Sequence, residues 1–294
     1  MHFLAFALLA CRLSNYPVER FETAPVASAP TVEDLAAPGP IELETLVAAR
    51  WAVSNSGLID LSDPKAAGIT KAKAPIVLMV HILRHPEKGD YIVDTGVALD
   101  EDGGLAMLSG LAAKVVQPTD MVDLSEALSA RGISLRGVFL THMHIDHILG
   151  LSDLPPDMPI YIGPEEQQYR KKGNGLLRPT YRRALDGRQP LEELDFSAGV
   201  QMGGLDAIDF FGDGSLWVLH APGHTPGSIV LLARTTEGPV LMLGDTSHTR
   251  WGWENSVPPG SFTLDREANK ASIDALHALV DPIPGLRVLV GHEE

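Results

Sequence analysis

The stretch Thr141-His142-Met143-His144-Ile145-Asp146-His147 places four potential metal ligands, three histidines and one aspartate, within six consecutive positions. Imidazole and carboxylate groups suit zinc and similar divalent ions. The apolar, β-prone residues 137–140 precede this stretch and predict a buried strand that runs into a loop. Strand alternation would place the last histidine on the opposite face from the other ligands, so a loop or helix start is needed to aim them at two adjacent points. The spacing therefore favours two metal ions side by side.

A competing interpretation is that these histidines are ordinary surface or core residues, as a single histidine usually is. Three histidines and one aspartate in so short a stretch are difficult to explain in that way. Their desolvation without a ligand would be costly, because buried polar groups need partners. The cluster therefore indicates a metal site.

The composition of the chain bounds its class. Its 294 residues are 45% hydrophobic, which is enough for a sizeable core in one or two domains. The formal net charge of −15 argues against nucleic acid as a partner, because phosphate recognition needs a basic surface. It also disfavours a polyanionic substrate unless bound metal offsets the field. Cys11 is the single cysteine, so no internal disulfide and no thiolate metal site are expected.

The N-terminal 40 residues differ from the rest of the chain. Residues 1–10 are almost wholly apolar, and Leu8-Leu9-Ala10-Cys11 resembles the lipobox of a bacterial lipoprotein signal, which implies a lipid anchor at Cys11. The run is short and no Lys or Arg precedes it, so an ordinary extension is the alternative, and both cytoplasm and cell envelope stay open as locations. Residues 22–40 are rich in Ala and Pro and predict a flexible tether. We therefore divide the chain into an N-terminal segment at 1–40 and one catalytic domain at 41–294.

The first half of the domain is expected to be rich in strands. Residues 75–83 and 91–96 form a hairpin pattern, and His81 and His85 within it are interpreted as structural or exposed. Residues 41–54 fit either a strand or a short helix. A helix is expected at 123–131, where Gly132 ends it.

The region after the ligand stretch predicts a short strand at 159–163 and then a helix from Pro164 to Arg170, because proline favours the first helical position. The basic segment Lys171–Arg188 is interpreted as a solvated loop, with a mobile segment near the site as the alternative. The second half predicts hairpins around 212–214 and 237–238, a helix at 265–279 and a last strand at 287–290.

Three further potential ligands follow predicted strands in the second half. They are His224, Asp245 and His292, and each is preceded by a glycine that lets the backbone turn sharply near a crowded centre. Taken singly, each reads as an ordinary turn residue. Their repeated position at strand ends, together with the first cluster, favours a shared metal site.

The complete set of seven residues resembles the dinuclear ligand set of the metallo-β-lactamase superfamily from residue 41 to the end of the chain. The resemblance implies a four-layer αββα sandwich of two packed mixed sheets, and two divalent ions, with zinc the expected metal. It implies that His142, His144 and His224 hold one ion. It further implies that Asp146, His147 and His292 hold the other and that Asp245 bridges them.

A dinuclear centre of this kind suits hydrolysis. Metal-bound water can have a pKa near about 7, so hydroxide is available at neutral pH. The ligand set alone leaves esters, lactones, thioesters, amides and phosphoesters open as substrates.

Several branches of the superfamily fit less well. The β-lactamases use a cysteine or lack the acidic bridge. Glyoxalase II-like thioesterases carry a helical domain after the last histidine, whereas this chain ends at Glu294. Transfer-RNA-processing members need a basic surface, and flavodiiron members carry a flavin domain.

The segment 244–262 and the helix after it resemble the N-acyl homoserine lactonases, through the Asp loop and the run Glu254-Asn255-Ser256-Val257-Pro258. This resemblance implies that a small-molecule lactone or ester is opened by metal-bridging hydroxide, with Asp146 or a water moving the proton. It has one departure: the lactonases carry a tyrosine where His248 stands here. His248 is expected either to contact substrate as a catalytic residue or to be a solvent-facing loop residue. The candidates for an apolar wall against an acyl chain, for which core packing is the alternative, are Trp51, Trp251, Trp253 and Phe262.

Two other classes stay open. One is another branch of the superfamily, either a glyoxalase II-like thioesterase or an iron-dependent oxidoreductase such as a persulfide dioxygenase. The other is a non-catalytic binding module, which the complete ligand set disfavours. The ligands accept zinc, iron, manganese or cobalt, so they do not select the metal.

Overall fold

Two mixed β-sheets form the centre of the structure, a computed structural model that describes residues 11–102, 105–106, 117–171 and 174–294. The strands in chain order are β1 (Cys11–Arg12), β2 (Val18–Glu22), β3 (Glu42–Ser54), β4 (Lys73–His85), β5 (Gly89–Val93), β6 (Leu135–Phe139), β7 (Ile160–Ile162), β8 (Arg170–Lys171), β9 (Leu191–Asp195), β10 (Val200–Met202), β11 (Leu205–Asp209), β12 (Leu216–His220), β13 (Ile229–Thr235), β14 (Gly238–Met242) and β15 (Arg287–Leu289). The first large sheet has the order β2-β9-β7-β6-β5-β4-β3, and the second runs from β10 to β15 in sequence order. A small third sheet pairs β1 with β8.

Helices lie outside both large sheets. Their bounds in chain order are Val32–Ala36, Asn55–Leu58, Leu124–Ala130, Asn174–Leu185, Arg250–Glu254 and Arg266–Val280. Side chains of Leu124–Ala130 and Asn174–Leu185 pack with the first sheet, and those of Arg266–Val280 pack with the second. The predicted αββα sandwich is therefore confirmed.

The strand β13 shows why the sheets pack in this way. Its side chains are buried on both faces, and alternate residues point in opposite directions. Leu231 and Ala233 join an apolar cluster between the two sheets, which includes Phe139 from the first sheet. Val230 and Leu232 join the cluster beneath the helix Arg266–Val280. A continuous apolar run thus supplies two layers of core at once.

The N-terminal segment is not a tether in this structure. Residues of β2 pair in parallel with β9, so the first sheet begins before the boundary expected at residue 41. Leu13 is only 1% exposed and Leu35 only 2%, and each packs within a core cluster. The Ala- and Pro-rich composition concealed these contacts, because a few buried leucines are enough to dock a short segment. The lipobox pattern at residues 1–10 lies outside the described residues.

Two further predictions of local structure were wrong. The helix expected from Pro164 is a single 3-10 turn, Glu166–Gln168, preceded by Glu165 in the left-handed region at φ 60°. The segment expected to be a loop contains the helix Asn174–Leu185, with Pro179 inside it. Tyr181 and Leu185 of that helix are buried against the first sheet, and this packing outweighs the unfavourable proline.

The remaining predicted elements were confirmed. Residues 41–54, left open between strand and helix, form β3 in the first sheet. The hairpin of β4 and β5 is antiparallel, and the last strand β15 runs parallel to β14. Within the described ranges, no helix has both the length and the apolar character needed to cross a bilayer.

Candidate metal centre

The first ligand stretch lies where β6 ends. His142 and His144 follow the strand in extended loop, and the 3-10 turn Ile145–His147 then reverses the chain. This turn provides the change of direction that strand alternation alone could not give. As a result, the imidazoles of His142 and His147 lie side by side, with ring centroids 4.1 Å apart.

Three loops at the ends of strands of the second sheet bring the other candidate ligands to the same place. His224 follows β12, Asp245 lies in the 3-10 turn Gly244–Thr246 after β14, and His292 follows β15. Gly291 is required by close approach, because a Cβ at that position would lie 2.4 Å from Oδ1 of Asp245.

Three histidines and one oxygen of Asp245 form what we call the first group. Nε2 of His224 lies 2.8 Å from Nδ1 of His144 and 3.5 Å from Oδ2 of Asp245. Nε2 of His142 lies 3.6 Å from the same Oδ2. Ligands that surround one tetrahedral zinc ion at its usual bond lengths lie about 3.3 Å apart. The first group therefore has the spacing of a single metal site.

Asp146, His147 and His292 form what we call the second group. Oδ2 of Asp146 lies 3.6 Å from Nε2 of His292 and 3.9 Å from Nε2 of His147. The other oxygen of Asp245, Oδ1, lies 3.2 Å from Nε2 of His292 and 3.4 Å from Nε2 of His147. Oδ1 of Asp245 thus faces the second group, while Oδ2 faces the first group and also lies 3.3 Å from Nε2 of His292.

Unsatisfied polar atoms point into this centre. Nε2 of His142, Nε2 of His147 and Oδ1 of Asp245 are buried and make no hydrogen bond of normal geometry with any described residue. Leaving such atoms unpaired is costly, and native structures rarely do so without a ligand. Divalent ions would satisfy all of them, so the residues present fit the metal that this donor set implies.

The outer ring nitrogens of the candidate ligands are held by neighbouring groups. Nδ1 of His147 lies 2.8 Å from Oδ2 of Asp94, and Nδ1 of His292 lies 2.9 Å from the carbonyl oxygen of Val77. Nδ1 of His224 lies 3.2 Å from the hydroxyl of Thr263. Such contacts fix the ring orientation and the tautomer, so that Nε2 is free to bind metal.

The electrostatics of the centre favour cation binding. Burial and the neighbouring imidazoles of His147 and His144 hold the pKa of His142 well below its usual value. Burial opposes ionisation of Asp245, but His292 and His248 hold the pKa of that carboxyl well below its usual value. Burial likewise opposes protonation of His292, yet Asp245 raises its pKa to about 9. The carboxylates thus stabilise positive charge at this point, which a metal ion can supply in place of the proton.

His248 is not the solvent-facing loop residue offered as one alternative. It is 1% exposed, and its Nε2 lies 2.9 Å from Oδ2 of Asp245. Its Nδ1 is buried and has no hydrogen-bond partner in the part of the chain that the structure describes. Asp245, His248 and His292 are also close enough to form a third possible metal-binding group. The geometry therefore places His248 against the carboxylate of Asp245.

The candidate wall residues separate into two sets. Trp253 stacks on His277 at a centroid distance of 3.8 Å and belongs to the core under the second sheet, so it does not line the centre. Trp51 and Trp251 are half-buried in an apolar cluster with Val257. Phe262 is 41% exposed, and its ring centroid lies 6.2 Å from that of His248.

His81 and His85 are both buried, so the exposed alternative is wrong and the structural one holds. Nδ1 of His81 lies 2.9 Å from the hydroxyl of Thr45 on the neighbouring strand. Nε2 of His85 lies 2.9 Å from Oδ2 of Asp213, which lies in the turn between β11 and β12 of the other sheet.

Sequence reasoning missed Asp94 and Thr263. Asp94 directly follows β5 at φ 59°, and its carboxylate accepts a hydrogen bond from the backbone N–H of Thr141 as well as contacting His147. A signal for Asp94 existed, because an aspartate at the end of a strand next to the ligand strand is well placed to reach the site. Thr263 had no comparable signal.

The protein class follows from this fold and this centre. A family model for the metallo-beta-lactamase superfamily matches residues 78–292, a range that contains all seven candidate ligands. The chain belongs to the metallo-beta-lactamase superfamily, and the proteins similar to it include an N-acyl homoserine lactonase.

The proteins of similar sequence include a gamma-lactamase and an N-acyl homoserine lactonase. The chain is 31% identical over 183 residues to the gamma-lactamase FDB1 of Fusarium pseudograminearum, covering 58% of this chain and 44% of that protein. It is 27% identical over 218 residues to the N-acyl homoserine lactonase AttM of Azorhizobium caulinodans, covering 72% and 80%. The chain spans about half the length of the first fungal relatives that it matches.

Solved structures of lactonases share the fold. One is a quorum-quenching N-acyl homoserine lactone lactonase, with a TM-score of 0.62 at 20% identity, covering 87% of this chain and 92% of that one. Another is AidC, a dizinc quorum-quenching lactonase, with a TM-score of 0.58 at 16% identity, covering 88% and 91%.

Proposed function

We propose that this protein is a dinuclear metal-dependent hydrolase that opens lactone rings, such as those of N-acyl homoserine lactones. The observation that carries the proposal is the arrangement of Asp245, which lies between the two groups, with Oδ2 3.5–3.6 Å from ligands of the first and Oδ1 3.2–3.4 Å from ligands of the second. The lactonase AttM among the relatives and the lactonase-like segment 244–262 support the substrate class.

In this proposal the first group holds one ion, the second group holds the other, and Asp245 bridges them. Two bound divalent ions, expected to be zinc, would supply a Lewis acid and a hydroxide nucleophile at neutral pH. The protein's part is to fix the ligands, which it does through Asp94, Thr263 and the carbonyl of Val77. Because these contacts preset the rings, little reorganisation accompanies the reaction.

Asp146 is the proposed proton carrier. Its side chain is 16% exposed, more than that of His147, His292 or Asp245, so it has access to solvent as well as to the centre. A carboxylate in that position could take the proton of the hydroxide that adds to the carbonyl carbon and deliver it to the ring oxygen when the carbon–oxygen bond of the ring breaks.

His248 is proposed to act through Asp245. Its Nε2 lies 2.9 Å from Oδ2 of Asp245, so this ring nitrogen is engaged by the carboxylate rather than by a substrate. His248 would therefore fix the orientation of the bridging carboxylate of Asp245. A tyrosine at this place would instead be expected to contact the substrate.

Phe262 and Leu264 are proposed to meet the acyl chain. They are 41% and 40% exposed and flank Thr263, which contacts His224. Exposed apolar side chains beside a polar centre are typical of a binding surface for an apolar group.

The first experiment is a proton-release assay with full-length, zinc-loaded protein on short- and long-chain N-acyl homoserine lactones and a simple γ-lactone. Turnover that a chelator abolishes and zinc restores is the expected result. Absence of lactone turnover, with turnover of a glutathione thioester instead, would replace the proposal by the thioesterase alternative.

A γ-lactam is the second candidate substrate. The sequence identity of this chain to the gamma-lactamase FDB1 is 31%, compared with 27% to AttM. A simple γ-lactam should be tested beside the γ-lactone of equal ring size, with both products followed by chromatography, because lactam opening yields a carboxylate and an ammonium group and releases no net proton. Faster opening of the lactam would favour amide hydrolysis over the lactonase proposal.

A further inference from the structure

Glu166 is a fully buried carboxylate that belongs to neither group of candidate ligands. It lies in the 3-10 turn after β7 and is 0% exposed. The backbone N–H of Met143 donates to its Oε1 at 2.6 Å, and the backbone N–H of Gly227 donates to its Oε2 at 3.1 Å. The two oxygens of one side chain thus hold two separate loops.

Both of those loops carry members of the first group. Met143 stands between His142 and His144, and Gly227 is in the loop that carries His224. The hydroxyl of Thr225, in the same loop as Gly227, also bonds to Glu166. Glu166 is therefore a buried side-chain connection between the two chain segments that must come together to form this group, in addition to the backbone hydrogen bond from Ile229 to Thr141.

A second buried residue completes the hold on Met143. The hydroxyl of Tyr181 donates to the carbonyl oxygen of Met143 at 2.6 Å, and Tyr181 is 1% exposed. Both backbone polar groups of Met143 are thus engaged by side chains from outside its own loop. Because the flanking residues are His142 and His144, the position of Met143 sets where both imidazoles begin.

Close packing limits any slack in this connection. A Cβ at Gly227 would lie 2.5 Å from Cβ of Glu166, and a Cβ at Gly163 would lie 2.0 Å from the carbonyl oxygen of Gly227. Glu165 adopts φ 60°, a conformation that non-glycine residues rarely take. Strain of this kind persists where the surrounding structure requires it, often beside a functional site.

We infer that Glu166 is a positioning residue that preorganises the first group by tying the loop of His142 and His144 to the loop of His224. This inference rests on the metal centre of the proposed function and adds a residue that supports one half of it. The hydrogen bonds of Glu166 to Met143 and Gly227 go to backbone N–H groups and not to candidate ligand side chains. Glu166 therefore acts through the backbone of the two loops.

The second group is secured by other contacts. The carbonyl oxygen of His147 accepts hydrogen bonds from the backbone N–H and the hydroxyl of Thr95, and its ring is held by Asp94. His292 is held by the carbonyl of Val77. Loss of Glu166 should therefore affect the first group far more than the second.

A carboxylate is the side chain that this position requires. Two backbone N–H groups and a hydroxyl point at its oxygens. Burial raises the pKa of Glu166 to about 7, although these hydrogen bonds act in the opposite direction. Glutamine has the same length but turns an NH₂ group toward one of the two N–H donors. Glu166→Gln thus removes one tie while conserving volume.

The test is zinc titration of the full chain, freed of metal by dialysis, against a chromogenic chelator. Glu166→Gln should retain one zinc per chain under conditions where the unaltered protein retains two. Glu165→Gln is the matched control, because Glu165 is the adjacent, exposed glutamate, and it should retain both.

Two backgrounds assign the loss to one group. In His292→Ala, which leaves the first group intact, Glu166→Gln should weaken zinc binding at least about tenfold. In His224→Ala, which leaves the second group intact, it should change zinc affinity less than about twofold. Equal weakening in both backgrounds, or no weakening in either, would overturn the inference.

Tyr181→Phe is the second variant and keeps the inference testable if Glu166→Gln fails to fold. It removes the hydroxyl that holds Met143 and should weaken zinc binding in the His292→Ala background only, by less than Glu166→Gln does. An unchanged affinity there would contradict the role of Met143. If the unaltered protein binds zinc but opens no lactone, the proposed function fails and the inference about Glu166 stands.

Discussion

Asp94 and His147 form a buried pair, with Oδ2 of Asp94 lying 2.8 Å from Nδ1 of His147. The pair joins the end of β5 to the turn after β6, and the same carboxylate receives the N–H of Thr141 at 2.8 Å. A carboxylate behind a candidate histidine ligand orients the ring and makes it more basic. Asp94 is thus a support of the second group that lies 53 positions away from His147 in the chain.

Asp94→Asn should weaken metal binding at the second group by about 10- to 100-fold, because the amide supports the imidazole less strongly than the carboxylate. Zinc titration in the His224→Ala background, which leaves that group intact, measures the effect. Asp157→Asn, at an exposed aspartate, is the control and should bind zinc as the parent does. Equal affinities for the two variants would remove Asp94 from the centre.

Asp245→Asn should lower lactone turnover by at least about 100-fold, because the amide nitrogen cannot replace the second carboxylate oxygen. The same variant should hold less than two zinc ions per chain. Turnover and zinc content are measured on one preparation, with far-UV circular dichroism as a check of folding. Full turnover with two retained ions would exclude the bridging role.

His248→Phe removes the contact to Oδ2 of Asp245 and should lower turnover by about tenfold or more, since a hydrogen bond to a charged group contributes about 1.5–3 kcal/mol. His248→Tyr supplies a hydroxyl donor and should recover part of the loss. The KM for lactone should change little in either variant, because the residue acts through Asp245. A large rise in KM with kcat unchanged would instead indicate direct substrate contact.

Phe262→Ala should raise the KM for a long-chain lactone by about tenfold and leave that for a short-chain lactone nearly unchanged, because only the long chain reaches an apolar side chain at this place. The exposed position of Phe262 predicts little loss of thermal stability. Val122→Ala, at another exposed apolar side chain, is the control. Equal changes for both lactones would argue against an acyl-chain contact.

Asp153 gives a prediction for pH. Burial raises the pKa of Asp153 to about 6. The hydrogen bond from the N–H of Ser125 lowers this pKa, and the charge of the nearby Asp123 raises it further. The folded pKa exceeds the unfolded value, so ionised Asp153 destabilises the fold at pH 8, and this cost falls as the pH drops through about 6. Asp153→Asn should therefore raise the melting temperature at pH 8 more than at pH 5. A gain that is independent of pH would contradict the shift.

Much of the fold was accessible from the sequence where local pattern and burial agree. The hairpin of β4 and β5 and the helix Arg266–Val280 were predicted within a few residues, because apolar period and turn residues coincide there. The helix Asn174–Leu185 was missed because Pro179 and the basic residues around it contradict its local pattern. Its stability comes from the burial of Tyr181 and Leu185, which sequence spacing does not reveal.

The sequence by itself determined the chemistry available at the centre, since three histidines and an aspartate in one short stretch can be recognised from residue type and spacing alone. It also pointed to His224, Asp245 and His292 through their shared position after strands. Only the tertiary structure decided which groups these residues join, how Asp245 divides its oxygens between them, and that His248 faces Asp245. It alone disclosed Asp94 and Glu166 as supports. The reason is that the contacts of Asp94 with His147 and of Glu166 with Gly227 join residues 53 and 61 positions apart, and their geometry depends on how the two sheets are packed and registered.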